Sequence, residues 1–211
     1  MRRAWLVLAG AVAVVGGVVA HANTDLTQTA LDTLTPIEST PGTSQLTAVF
    51  GGSGSAASSQ AVQALAAIAT DSSQDVGVQL RAIRDLGEYP NEIGAHDALS
   101  HMLVDPTTDA RGPKVLLLRS AVEAFGALVG GGGAQPGDIN VLLPTPPTSS
   151  LIGHASQDIR AATARALGEL CDSGAITPLR NQLGVEATPQ VQFAISAALR
   201  VLGSCASGSG S

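Results

Sequence analysis

The chain has 211 residues, 45% of them hydrophobic but only 2% aromatic, so any core is built mainly from Ala, Leu, Val and Ile. Its formal net charge at pH 7 is −6. An acidic chain so poor in aromatic side chains has neither the positive field nor the stacking surfaces that nucleic acid needs, so we exclude nucleic acid as a partner.

Residues 1–22 predict a secretory signal peptide. Arg2 and Arg3 precede an apolar run of 17 residues, and Ala20-His21-Ala22 then provides a cleavage site of small residues. We expect cleavage after Ala22 and a periplasmic or secreted bacterial protein. The alternative is that the run is retained as a membrane anchor, because its length is at the lower limit for a spanning helix. Cleavage leaves 9 basic and 17 acidic residues, a net charge of −8.

Residues 23–59 predict a flexible segment. Ser, Thr, Gly and Pro dominate this stretch, and such a composition buries too little apolar surface to support a packed domain. A short docked helix around residues 45–50 is the alternative for part of it. At the other end of the chain, residues 206–211 (ASGSGS) predict a flexible tail.

Four stretches between these segments share one pattern when they are aligned on a glycine-like position. They are VQLRAIRDLGEY (78–89), LLRSAVEAFGAL (117–128), IRAATARALGEL (159–170) and VQFAISAALRVL (191–202). Each begins with an apolar residue and has two more at positions eight and eleven residues later, which places all three on one stripe of a helix. The copies recur after 39, 42 and 32 residues, the range typical of helix-pair repeats.

A second apolar helical stretch precedes most of these copies, at residues 61–71, 95–105 and 175–184. The repeating unit is therefore a helix, a turn and a second helix. The third unit departs from this pattern, because Pro144, Pro146 and Pro147 end its first helix after about five residues and predict a loop over 144–156. The second unit has a long connection at 105–114. Such insertions fall on one edge of a repeat array, where binding surfaces are often found, although tolerated divergence explains them equally well.

The segments AITPLRNQLGVEATPQVQFAISAALRVLG and DIRAATARALGELCD resemble HEAT repeats, in particular the short bacterial type first noted in phycobilin lyases. The resemblance extends over about residues 60–203. It implies an all-α, armadillo-like α-solenoid of about four helix-pair repeats over residues 60–205. It also implies a scaffold or adaptor that binds other proteins. The alternatives are a lyase-like or chaperone protein that handles a prosthetic group, and a structural component of the cell envelope.

Cys171 and Cys205 are predicted to form a disulfide. In the register of the repeats Cys171 corresponds to Gly203, so the two thiols lie near equivalent ends of adjacent helices. A disulfide fits an oxidising compartment, and closing a loop of this length contributes about 3 to 4 kcal/mol in the chain-entropy model. Two free thiols are the alternative.

No motif predicts catalysis, a metal site or a cofactor. His96 and His101 cannot share one face of a helix, and only Asp97 with His101 has the four-residue spacing, so we expect these side chains in the solvated surface. The glycine run at 130–137 lacks the dinucleotide-binding pattern and is not followed by the lysine of a P-loop. We therefore predict a protein that is not an enzyme.

The remaining functional prediction is a polar surface on the second helices of the units. The candidate partner-binding residues are Gln79, Arg81, Arg84, Arg119, Arg160, Arg165 and Arg200. Arginines on one set of helices could hold an acidic protein or peptide through charge-assisted hydrogen bonds. The alternative is that Arg84 with Glu88 and Arg165 with Glu169 form four-residue pairs that only support their own helices.

Overall fold

A computed structural model of the chain describes residues 27–36, 42–49, 55–104, 112–144 and 151–208. Within these ranges every regular element is a helix, so the predicted all-α class is confirmed. The signal peptide and its cleavage site after Ala22 lie outside the described residues, as do residues 209–211.

The helices are α1 (27–34), α2 (Thr43–Val49), α3 (Ser55–Thr70), α4 (Val76–Leu86), α5 (Ile93–Val104), α6 (Pro113–Leu128), α7 (Asp138–Leu142), α8 (Gln157–Glu169), α9 (Ile176–Val185) and α10 (Pro189–Gly208). Their starts follow local capping chemistry. Asp75 caps α4 by accepting a bond from the Gly77 amide at 2.8 Å. α6 begins at Pro113, a position where the missing amide proton costs nothing.

Both segments predicted to be flexible contain helical residues. The segment 23–59 holds α1, α2 and the beginning of α3, and α10 continues through the predicted tail as far as Gly208. Ala30 and Leu34 of α1 are one helical turn apart and fully buried. This apolar pair orders part of a segment whose overall composition predicts no packing.

α4, α6, α8 and α10 form a row in which each helix packs against the next. Gly126 of α6 faces Ala166 of α8, and Gly130, in the turn after α6, faces Glu169 at the end of α8, so these two helices run in the same direction. α8 and α10 also run in the same direction, because Gly168 contacts Ala198 and, further along the chain, Cys171 is bonded to Cys205. Outside this row, α3 packs against α4 and α5, and α5 packs against α6, while α9 packs against α10.

The glycine on which the repeated stretches align allows the helices of this row to approach closely. The contacts join Gly87 to Ala124, Gly126 to Ala166, and Gly168 to Ala198. A Cβ atom at these glycines would lie 2.7 Å from the Ala124 carbonyl oxygen, 3.0 Å from the Ala166 Cβ and 3.1 Å from the Ala198 Cα, respectively. Any larger residue would therefore push the two helices apart.

The core follows the stripe that the alignment predicts. Leu86, Phe125 and Leu167 occupy the same aligned position and are fully buried. α6 lies in the middle of the row, and the stretch Pro113–Gly133 is the one described helix long and apolar enough to cross a membrane by length and composition. That property is weak evidence for a membrane span, because a buried core helix passes the same test, and 44% of the 18-residue window that meets it is buried inside the protein.

The third unit is irregular, as its prolines predict. Its first helix, α7, has only five residues and ends before Pro144. Part of the predicted loop over 144–156 lies outside the described residues, but Leu151–Gly153 forms a 3₁₀ turn that buries Leu151 and Ile152. The turn packs against α8 and α9, so its two buried side chains belong to the same core as the longer helices.

The glycine run after α6 has a packing role. Val129–Gly133 forms a turn of π-helix, in which Gly132 has φ 99°, a conformation that favours glycine. A Cβ atom on Gly133 would lie 2.6 Å from the Pro90 carbonyl oxygen. The run therefore lets the end of α6 pack against the connection between α4 and α5.

Candidate functional site

A groove of about 370 Å³ lies between α4 and α6. The residues that line it are Leu80, Arg84, Glu88, Leu116, Arg119, Ser120, Glu123, Ala124 and Ala127. Leucine and alanine side chains supply its apolar surface, and Leu116 is 50% exposed. Two of the predicted partner-binding residues, Arg84 and Arg119, are thus brought together with an apolar surface.

The charged groups of the groove are partly paired with each other. The Glu123 carboxylate lies 3.0 Å from Arg119 and 3.3 Å from Arg165 of α8, and Arg84 lies 3.2 Å from Asp85. The predicted pairs of Arg84 with Glu88 and Arg165 with Glu169 are wrong, because each guanidinium has a different acidic partner in the described part of the chain. These three arginines remain 42% to 52% exposed, so each pair contributes at most about 1 kcal/mol.

Two other predicted partner-binding residues have structural contacts instead. Gln79 is 5% exposed and donates a hydrogen bond to the Asp71 carbonyl oxygen at 2.8 Å, which satisfies the backbone after α3 ends. The Arg160 side chain is only 14% exposed and is bound to Glu186. Both side chains are therefore held in contacts within the protein and are structural residues, not free groups that a partner could bind.

The last two predicted residues lie outside the groove. Arg81 is partly buried, and its Nε is buried with no hydrogen-bond partner among the described residues. Arg200 is exposed on α10, at the far end of the row of helices. The predicted arginine surface is therefore not one continuous site. Only Arg84 of α4, Arg119 of α6 and Arg165 of α8 lie close together.

Glu186 is the centre of a dense hydrogen-bond network between α9 and α10. Arg160 donates to both of its carboxylate oxygens, at 2.7 and 2.9 Å, and the Thr188 amide and Gln182 side chain donate at 2.9 and 3.0 Å. The bonds from Arg160 lower the pKa of Glu186 from its ordinary value of 4.5 to about 2, although burial acts in the opposite direction. This network fixes α8 to the connection before α10.

Asp85 of α4 is also buried, but it accepts far fewer hydrogen bonds than Glu186. It is 3% exposed, it accepts one bond from Arg84, and its Oδ2 is buried without a partner in the described part of the protein. Burial raises the pKa of Asp85, and the hydrogen bond and charge of Arg84 offset this only in part. The other helices of the row have alanine at the aligned position.

His96 and Asp138 form a buried pair that the sequence reasoning missed. The prediction that His96 lies in the solvated surface is wrong, because it is 8% exposed and its Nε2 lies 2.7 Å from Asp138. The second Asp138 oxygen accepts the Gln135 amide at 2.7 Å. The pair joins α5 to the short α7. One signal was available, since His96 shares a helical stripe with the buried Leu99 and Leu103.

Cys171 and Cys205 are joined by a disulfide, with their Cα atoms 5.8 Å apart. The bond links Cys171, two residues after the end of α8, to the last part of α10. Cys171 has φ 55°, a left-handed conformation that usually selects glycine at this position after a helix. The disulfide therefore ties the last helix to its neighbour at a sharp change of chain direction.

The described residues contain no group of three or more His, Cys, Asp or Glu side chains placed to hold a metal ion. The groove itself is lined by no His, Cys or Tyr. No protein-family model matches the chain, and no curated protein shows significant similarity to it.

Proposed function

We propose that the chain is an exported α-solenoid of HEAT-like repeats that binds another protein and has no catalytic activity of its own. The supporting observation for the architecture is the row of α4, α6, α8 and α10, with a glycine to alanine contact at each step. Units that pack mainly on their neighbours are typical of solenoid proteins. The sequence from 60 to 205 supplies about four such units.

The observation that carries the functional proposal is the groove between α4 and α6. Its apolar surface includes the half-exposed Leu116, while Arg84 and Arg119 lie at its rim. Anchoring of one apolar side chain in a pocket surrounded by polar groups is the usual arrangement at protein interfaces. We infer a partner segment with an apolar residue that packs on Leu116 and a neighbouring carboxylate that binds Arg84 or Arg119.

The test is capture of partners from an envelope fraction, with chemical cross-linking and identification of the peptides attached to α4 and α6. Leu116→Asp should reduce capture at least ~30-fold, since it removes the apolar anchor and places a carboxylate beside the one that the partner is expected to carry. Arg84→Ala combined with Arg119→Ala should reduce it less, because part of their charge is already paired.

Two variants control for general effects of the substitutions. Ile93→Asp introduces the same charge at an exposed apolar residue of α5 outside the groove, and Arg180→Ala removes an exposed arginine of α9. Both should capture the partner as the unchanged protein does. Unchanged capture by Leu116→Asp would show that the groove is not the binding site.

Export is tested separately by the N-terminal residue of the protein recovered from the cell. Cleavage after Ala22 gives a chain that begins at Asn23, and mass spectrometry measures this directly. If the chain recovered from the membrane fraction still carries its first 22 residues, the result would support an apolar run that is retained as a membrane anchor.

A further inference from the structure

The two walls of the groove between α4 and α6 carry the same order of side chains. On each wall a leucine comes first, an arginine follows about one turn later, and a glutamate follows after about one further turn: Leu80, Arg84 and Glu88 on α4 and the turn after it, and Leu116, Arg119 and Glu123 on α6. Residues three or four positions apart lie on one side of a helix, so all three groups of each wall face the groove.

The two walls also match from end to end. Gly87, after α4, faces Ala124 of α6, and further along the chain Pro90 faces Gly131, so the two helices run in the same direction. The groove therefore has an apolar end, a positively charged middle and a negatively charged end. Each step along it is about one helical turn, or about 5 to 6 Å.

The charges in the groove do not cancel locally. Arg119 and Arg165 approach the same oxygen of Glu123, at 3.0 and 3.3 Å, so two cations share one carboxylate. Glu88 is exposed and forms no hydrogen bond or ion pair with another residue in the described part of the chain. Positive charge is thus in excess in the middle of the groove, and an unpaired carboxylate lies at its end.

The walls of the groove favour a helical partner over an extended one. Both walls are α-helices, whose backbone amides and carbonyls are bonded within the helix and cannot pair with an extended chain. Among the described residues that line the groove, Ser120 is the one uncharged polar side chain. An extended partner would therefore leave buried backbone groups unpaired, whereas a helix satisfies them internally.

We propose that the groove binds an amphipathic helix of the partner protein with an apolar, an acidic and a basic residue, in this order, at intervals of four residues. The apolar residue packs on Leu80 and Leu116. The acidic residue binds between Arg84 and Arg119, and the basic residue binds Glu88. This inference rests on the proposed function, since it takes the groove as the binding site. The order can be met by a helix that runs in either direction, because the acidic residue is central in both.

The first experiment measures binding of labelled synthetic helices to the protein purified after expression from its full-length sequence. Two peptides carry Leu, Glu and Lys at intervals of four residues, one in this order and one in the reverse order. A third carries Leu, Lys and Glu, and the remaining positions of all three are Ala and Gln. Fluorescence anisotropy should show that one of the first two binds at least ~10-fold more tightly than the third. Circular dichroism should show comparable helicity in all three peptides.

The second experiment reverses the charge at the end of the groove. Glu88→Lys should weaken binding of the tighter peptide at least ~5-fold, and it should strengthen binding of the same peptide with Glu in place of Lys by a similar factor. A general effect on the fold cannot exchange the preference in this way. Glu169→Lys is the matched control, because Glu169 is exposed at the aligned position of α8 and does not line the groove. It should keep the preference of the unchanged protein.

The proposal fails if no peptide binds at about 1 mM, if the order of the charges makes no difference, or if Glu88→Lys leaves the preference unchanged. It also fails if Leu116→Asp binds the peptides as the unchanged protein does, because they would then bind elsewhere. Capture of partners from the envelope fraction does not use these peptides. Loss of capture by Leu116→Asp together with any of these results would therefore reject the charge order and leave the groove as the binding site.

Discussion

Glu186 and Asp85 are two carboxylates buried to a similar extent, 7% and 3% exposed, but their pKa values move in opposite directions. Near the start of α10, Arg160, Thr188 and Gln182 all donate to Glu186. On α4, Asp85 accepts from Arg84 and leaves one oxygen buried without a bond among the described residues.

The comparison shows that burial alone does not decide how a carboxylate affects the fold. Burial disfavours the charged form in both cases, but several hydrogen bonds to the charged form reverse the balance. Glu186 is therefore expected to stabilise the folded protein at neutral pH, and Asp85 is expected to destabilise it.

Arg160→Ala should have the largest effect on this comparison. It leaves the Glu186 carboxylate buried without its main partner, so we expect the free energy of unfolding at pH 7 to fall by about 3 to 5 kcal/mol. Urea denaturation measures this value. Arg165→Ala is the control, since its pair with Glu123 is half exposed and should contribute at most about 1 kcal/mol. Equal losses in the two variants would show that the Glu186 network has no special role.

The dependence of the free energy of unfolding on acid pH tests the same difference between Glu186 and Asp85. Since the pKa of Glu186 is lower in the folded protein, its contribution is complete above the ordinary value of 4.5 and is lost as the pH falls towards about 2. The urea midpoint should therefore decrease over this range, and Glu186→Gln should flatten the decrease. Asp85 acts in the opposite sense, because protonation relieves the cost of burying its charge. Parallel curves for the unchanged protein and Glu186→Gln would contradict the expected role of Glu186.

Asp138 provides an intermediate case, with both oxygens bonded but fewer donors than Glu186. His96→Ala removes one donor and the contact between the His96 and Phe125 rings, whose centroids are 5.6 Å apart. We expect a loss of about 2 to 3 kcal/mol in the free energy of unfolding, measured in urea at pH 7. His101→Ala, at an exposed site of the same helix, should change stability by less than about 0.5 kcal/mol. A similar small change for His96→Ala would mean that the pair does not hold α7 in place.

Asp85→Ala should have the smallest effect, and with the opposite sign. It removes a buried oxygen that has no hydrogen-bond partner among the described residues, and it introduces the alanine found at this position in the other helices of the row. The free energy of unfolding at pH 7 should rise by up to about 1 kcal/mol. Asp75→Ala on the same helix should instead lose about 1 kcal/mol, because Asp75 caps α4. A clear loss for Asp85→Ala would show that its charge is used in the folded state.

The sequence predicted the helices better than the contacts between their polar groups. The spacing of apolar residues reports which side of a helix is buried, and it correctly places Leu86, Phe125 and Leu167 in the core. The same spacing does not show which distant polar residues meet. Arg160 and Glu186 are 26 residues apart, and their pairing depends on how α9 returns the chain to α8.

The sequence predicted only part of the candidate site, because apolar spacing places helices but not the contacts between distant polar residues. Arg84 and Arg119 share a groove because the second helices lie side by side, which the repeat pattern implies. The burial of Gln79 against the end of α3 depends on the turn between two helices, which the repeat pattern leaves open. In the first part of the chain, a composition rich in Ser and Thr led to the prediction of a flexible segment, although α1 has a short apolar stripe.

The contacts between glycine and alanine along the row affect how such a chain can change in length. Each of the inner helices α6 and α8 contributes an alanine to the contact with the helix before it and a glycine to the contact with the helix after it. A gene duplication that copies a whole helix pair from the middle therefore brings a complete set of fitting surfaces with it. Asp85 and Arg200, on the first and last helices of the row, would remain on the first and last helices of the longer row.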